Sequence, residues 1–207
     1  MIEWYGGSRP QDGRSLNEDA YLIGRDPIAH AVVCDGAGNA QRSAKRAIRF
    51  FEKLFKQATL DEIRNGDTWA KWIKLMDSHL LGFSESTFIG VALIENTLVG
   101  AYAGDSRAYL LDTNGHLRLL TDSMNKSRVG SGMAQAAPLS LTLQPRDILL
   151  LMSDGAWTPL GSDYMLHRTI VRELPKHFSE VPLGILEAAG HAGRADDMTV
   201  VALRLTY

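Results

Sequence analysis

Acidic side chains at the ends of apolar runs carry the chemical content of this sequence. From Ala31 to Asn39 the chain reads A-V-V-C-D-G-A-G-N, so small and β-branched residues deliver Asp35, with Gly36 and Gly38 close behind. A run of that kind suits a buried strand. Asp35 would then stand where the strand emerges, and the glycines would permit a tight turn and close approach of a ligand to the backbone. A carboxylate beside the bare carbonyl of Gly36 can hold a hard cation. Taken alone, the same letters also fit an ordinary Asp-Gly turn.

The pattern recurs. Asp154 ends a second apolar run and precedes Gly155, Asp196 and Asp197 immediately precede a third, Glu18 and Asp19 open another, and Asp105 lies in a turn between two. If those ends meet, five or six carboxylates converge. Their mutual repulsion raises pKa values and protonates some of them unless cations neutralise the group. Oxygen-only ligands, with no regular histidine pair, favour Mg²⁺ or Mn²⁺ over Zn²⁺. Paired ions of this kind activate water against phosphate esters.

The elements that must position these acids follow from periodicity. Ile2–Gly6 reads as a strand, Ser8–Asn17 as a loop, and Ala20 onward as a strand paired with the one through Val33, across a turn containing Asp26 and Pro27. Gly38–Gln57 reads as a helix with Ala44, Ala47, Ile48, Phe51, Leu54 and Phe55 on its apolar stripe, and with Arg42, Lys45, Arg46 and Arg49 as a solvated face. After a short turn or helix at Asp61–Asn65, Asp67 or Thr68 would cap a helix bearing Trp69, Trp72, Ile73, Met76, Leu80 and Leu81 on its apolar stripe. Period-two strands follow at Ser86–Ile94, Leu98–Ala103, Ser106–Leu111 and Leu117–Leu120, with Asn125–Ala137 read as an exposed, solvated loop in preference to a mobile lip formed by Met124, Met133 and the nearby glycines. Leu139–Leu143 and Ile148–Met152 read as strands, Met165–Phe178 (ending near Pro175) and Val181–Ala192 as helices, and Met198–Thr206 as a last strand. Strands and helices segregated in this way indicate α+β architecture, with two mainly antiparallel sheets each covered by a helix pair.

The 207 residues suffice for one substantial domain, expected to span 1–207. An apolar fraction of 45% and a charged fraction of 22% are those of a globular protein, and a net charge of −2 gives no sign of a nucleic-acid or membrane partner. The N-terminus M-I-E-W-Y-G-G-S lacks an apolar core of signal length, and a single cysteine, Cys34, reads as a small core residue. A cytoplasmic setting is the expectation.

Five segments in order carry a resemblance: R-S-L-N-E-D at Arg14–Asp19, V-C-D-G-A-G at Val33–Gly38, G-D-S-R-A-Y at Gly104–Tyr109, M-S-D-G-A-W at Met152–Trp157 and D-D-M-T-V-V at Asp196–Val201. Together they resemble the metal-dependent protein phosphatase family (PPM type, protein phosphatase type two C), from Tyr5 to the C-terminus. The resemblance implies a four-layer α-β-β-α sandwich with a binuclear centre holding two Mn²⁺ or Mg²⁺ ions. It assigns Asp35 to bridge both metals, Gly36 to offer a carbonyl, and Asp154 and Asp196 to ligate the other metal. Glu18 is assigned to bind a metal or its waters, and Asp19 to orient metal-bound water. Asp105, with Asp154, is assigned to a third, weaker ion, and Arg14 to grip the substrate phosphate.

Departures from the family pattern are Ala37 where many members carry His as a general acid, Asn39 where a second Gly is usual, and Glu85-Ser86-Thr87 where Gly-Thr-Thr is common. The flap subdomain, here about 121–139, is short. The implied reaction is hydrolysis of phosphoserine or phosphothreonine on a protein by a metal-bridging hydroxide. The alternatives are a catalytically inactive module of the same fold that binds phosphoproteins or acts as a scaffold, and a metal-dependent nuclease. The nuclease would need a basic groove that the balanced charge does not advertise.

Overall fold

In a computed structural model, residues 2–37, 42–122, 125–174, 177–193 and 195–206 are described. The chain runs β1 (Ile2–Arg9), β2 (Ala20–Gly24), β3 (Ala29–Cys34), β4 (Gly36–Ala37), α1 (Ser43–Gln57), α2 (Leu60–Arg64) and α3 (Gly66–Leu80). It continues through β5 (Glu85–Ser86), β6 (Phe88–Ile94), β7 (Thr97–Ala103), β8 (Arg107–Leu111), β9 (Leu117–Leu119), β10 (Ala137–Thr142) and β11 (Ile148–Met152). It ends with α4 (Asp154–Trp157), α5 (Asp163–Glu173), α6 (Val181–Gly193) and β12 (Met198–Leu205).

The strands form two five-stranded antiparallel sheets, ordered β1-β12-β11-β8-β9 and β10-β7-β6-β3-β2, plus the small β4-β5 pair. Burial on both faces explains why the strands β3, β6, β7 and β11 read as continuous apolar runs. In β3, Ala31 and Val33 face the other sheet, while Val32 and Cys34 face α1 and α3. In β11, Leu149 and Leu151 face inward, while Ile148, Leu150 and Met152 pack under α5 and α6. Three apolar layers therefore separate four layers of secondary structure, as the segregated pattern of strands and helices implies. Trp69, fully buried, anchors the first outer layer and donates its indole N–H to the Ile63 carbonyl at 2.8 Å. Among the described residues no helix is long and apolar enough to cross a membrane.

Several boundaries move. β1 runs on to Arg9, because Ser8 and Arg9 pair with Thr199 and Met198. Asn65, not Asp67 or Thr68, caps α3, accepting the Asp67 N–H at 2.9 Å. Asn65 wins because it also ends α2, and its extended backbone leaves the side chain free to turn back on the next helix. The described part of α1 starts at Ser43; its expected beginning at Gly38, together with Asn39, lies outside the described residues, as do Met124 and Pro175. Asp154 opens a helical turn rather than simply ending β11, with Ser153 at the N-cap position.

The stretch 125–137 is more than an exposed loop, although Met133 is 77% exposed. Val129 is buried and makes an isolated antiparallel bridge to Ser86. The carboxylate of Asp77 on α3 accepts the N–H groups of Gly130, Gly132 and Ala134 at 2.7, 2.9 and 3.1 Å. A buried carboxylate is stabilised by such donors, and the loop gains a fixed attachment to the helix.

Candidate metal centre

Asp35 emerges from β3, as its position after A-V-V-C requires, and its backbone is gripped from both sides. Its N–H donates to Thr87 Oγ1 at 2.9 Å, and its carbonyl accepts the Thr87 N–H at 2.8 Å and the Ser86 hydroxyl at 2.9 Å. Thr87 Oγ1 is itself 2.7 Å from Ser106 Oγ, next to Asp105. Thus the segment Glu85-Ser86-Thr87 orients the strand end, a function that sequence spacing alone does not reveal.

Asp105 sits in the turn between β7 and β8, which crosses from one sheet to the other, and Asp154 follows β11 in the second sheet. Carboxylate oxygens of Asp35, Asp105 and Asp154 all lie within 4.8 Å of one another. The arrangement is electrostatically expensive. Burial pushes the Asp35 carboxyl up to about 8, helped by the charges of Asp19 and Asp154 and opposed by Arg128. Asp154 is also raised, by burial first and then by Asp105 and Asp196. One buried oxygen on each of Asp19, Asp105 and Asp154 has no hydrogen-bond partner among the described residues. Unsatisfied, mutually repelling carboxylate oxygens at this spacing fit a hard divalent cation.

Asp19 lies just outside the three-acid group. Only 3% exposed, it accepts a hydrogen bond from Ser153 Oγ at 2.7 Å, and Ser153 in turn accepts the Thr199 N–H at 2.9 Å. Burial raises Asp19 to about 7; the hydroxyls of Ser153 and Thr199 oppose the rise, and Asp197 and Asp154 add to it. Gly36 is required by contact: a Cβ there would stand 2.8 Å from the Glu18 carbonyl oxygen and 2.7 Å from Ser43 Oγ.

The remaining acids divide. Asp196 is exposed, and its field reaches Asp154 and Asp35. A shallow pocket of about 160 Å³ between Asp154 and Asp196 is floored by Gly155. Asp197, expected among the converging carboxylates, instead accepts the N–H groups of Gln11 and Glu18 at 2.6 Å each and so fixes the loop that carries Arg14. The Glu18 carboxylate is outside the three-acid group and pairs with Arg14 at 3.4 Å. Arg128 was not singled out by sequence reasoning. Its guanidinium is 3.5 Å from Asp105 and 4.0 Å from Asp35, delivered there by the loop that Asp77 holds.

Comparison with known proteins places these features in a family context. The family model described as "Stage II sporulation protein E (SpoIIE)" matches residues 28–206. No curated protein sequence matches the chain. Among solved structures, the serine/threonine phosphatase Stp1 from Staphylococcus aureus superposes with a TM-score of 0.87 at 20% identity, covering 100% of this chain and 96% of that one. The catalytic domain of the serine threonine protein phosphatase PstP, in complex with two manganese ions, gives 0.82 at 19% identity, with coverage of 100% and 99%. PppA, a regulatory component of T6SS in Pseudomonas aeruginosa, gives 0.75 at 19% identity, with coverage of 98% and 97%. At such identities the likeness is one of fold.

Proposed function

The chain belongs to the stage II sporulation protein E (SpoIIE) family, with the PPM phosphatase fold, and from that premise we propose that it is a metal-dependent protein serine/threonine phosphatase. The observation that carries this reading is the meeting of Asp35, Asp105 and Asp154 at one end of the sandwich, where Asp35 and Asp154 are raised by burial and by their acidic neighbours.

Asp35 and Asp154, with the Gly36 carbonyl and Asp196, would hold two Mn²⁺ or Mg²⁺ ions, and Asp105 would serve a third, weaker one. When bound, divalent cations make water nucleophilic near neutral pH and offset the charge of a phosphate. This chain's own residues do the rest. Glu18 would bind a metal or its waters at the site's edge, and Asp19 would orient the water. Arg14, half exposed and paired with Glu18, would grip the phosphate as a planar two-pronged donor. Ser153 fixes the Asp19 carboxylate, and Thr87 fixes the Asp35 backbone. With Ala37 in place of a histidine, water or another group would have to protonate the leaving alcohol. The substrate in this reading is a phosphorylated protein.

The test is turnover of a phosphoserine peptide with manganese, with chelator as control. Asp35→Asn and Asp154→Asn should each lower kcat/KM by at least a hundredfold; near wild-type rates in either would refute the assignment. Phosphopeptide binding without turnover in the wild type would instead indicate the inactive module.

A further inference from the structure

The outer face of α1 concentrates positive charge that the rest of the chain does not share. From Arg42 to Lys56 there are six cations and one acid, in a protein whose net charge is −2. The lone acid, Glu52, is paired with Lys56 at 3.4 Å. Arg42, Lys45, Arg46 and Arg49 are exposed and together line one open depression. Arg46 lies over the Phe83 ring at 5.2 Å, and Arg42, Lys45 and Arg49 have no anionic partner among the described residues. A solvated helix normally intersperses acids at i+4 to balance such a row. Here the row repels itself.

The row also borders the candidate centre. Its first member precedes Ser43, whose hydroxyl packs against Gly36, next in sequence to Asp35. Farther along, Lys45 and Arg49 share a groove of about 400 Å³ with Asp19, Asn17 and Ser8. A chain leaving the metal centre along this groove would pass over the cations.

We propose that the Arg42–Lys45–Arg46–Arg49 face of α1 docks an acidic segment flanking the phosphoresidue of the protein substrate; this rests on the phosphatase reading above. Seven helical residues rise about 10 Å. An extended peptide spans that length in about three residues, at about 3.3 Å each. The surface therefore selects substrates with two or three acidic side chains clustered to one side of the phosphoserine or phosphothreonine. Because these cations are exposed, the attraction is screened by salt and acts on encounter and on KM.

The experiment compares phosphoserine peptides of one core sequence with a run of glutamates before the phosphoserine, after it, or replaced by alanines. It uses the full chain with manganese at low ionic strength. One glutamate peptide should exceed the alanine peptide about tenfold in kcat/KM, the factor given by about 1.4 kcal/mol. The preference should disappear in Lys45→Glu/Arg49→Glu, shrink in Lys45→Gln/Arg49→Gln, and fade as salt is raised. The quotient of the two kcat/KM values cancels any loss of folded or metal-loaded protein. Equal rates on all three peptides, or a preference surviving charge reversal, would overturn the proposal. In parallel, fluorescence anisotropy of a labelled, unphosphorylated glutamate peptide reads the surface without catalysis. If no peptide is turned over but this binding is abolished by charge reversal, the phosphatase reading fails and the docking surface stands. Absence of binding, or tighter binding of anionic vesicles or an oligonucleotide at equal charge, overturns the assignment to a protein segment.

Discussion

The hydroxyl of Ser153 donates to Oδ2 of Asp19 at 2.7 Å, joining residues 134 positions apart and from different sheets. Ser153 Oγ also accepts the Thr199 N–H, so one small side chain satisfies two buried groups. Ser153→Ala should destabilise the fold by ~1–3 kcal/mol, the usual cost of leaving buried partners unmade, and should push the Asp19 carboxyl higher. Chemical denaturation and the acidic limb of the kcat/KM profile read the two effects.

The raised carboxyls set a pH dependence of defined sign. Asp19 at about 7 and Asp35 at about 8 bind protons more tightly folded than unfolded, where they return to about 3.8. Between those values the native state carries more protons, so stability of the metal-free protein should fall as pH rises from about 4 towards 8. Divalent cations displace those protons. Melting curves with chelator should show the decline, manganese should flatten it, and calorimetry at neutral pH should record proton release as a buffer-dependent enthalpy.

Arg128 opposes the rise of Asp35 and Asp154 by standing as a fixed cation beside them. Arg128→Ala removes that competitor. It should tighten manganese binding severalfold in a direct titration of the metal-free protein and lower metal-free stability above neutral pH.

Asp77 reaches Gly130, Gly132 and Ala134 through one carboxylate. Asp77→Ala leaves three loop donors without it and should cost ~2–4 kcal/mol, since hydrogen bonds to charged groups contribute ~1.5–3 each and part is regained from water. Amide exchange at those three residues should accelerate well beyond that of β6, and manganese affinity should move in the same direction as in Arg128→Ala, because the loop also places the guanidinium.

Much of the architecture was legible because strand and helix periods are clean here. A-V-V-C and I-L-L-L-M are buried on both faces, and the stripe of Trp69, Ile73, Met76 and Leu80 admits only a helix packed on a sheet. The acids at strand ends are legible because the same device recurs along the chain, whereas one instance alone fits an ordinary Asp-Gly turn. The supporting partners were not legible. Thr87, Ser153 and Arg128 act across 52, 134 and 23 to 93 residues of chain, respectively, and nothing local marks them. A signal did exist for Asp77: it adjoins Met76 on the buried side of α3, where a bare carboxylate must find donors. Asp197 was not legible because adjacency to Asp196 does not give the two side chains one direction across the bend that precedes β12.

Asp35 leaves one sheet and Asp154 leaves the other, with Asp105 on the turn that passes between them. Stripped of ions, that end of the sandwich is a seam of like charges prising its two halves apart. An ion seated there becomes a rivet through both. On the metal-dependent reading, the protein's resistance to heat should climb with the logarithm of the free divalent-ion concentration once the site is saturated.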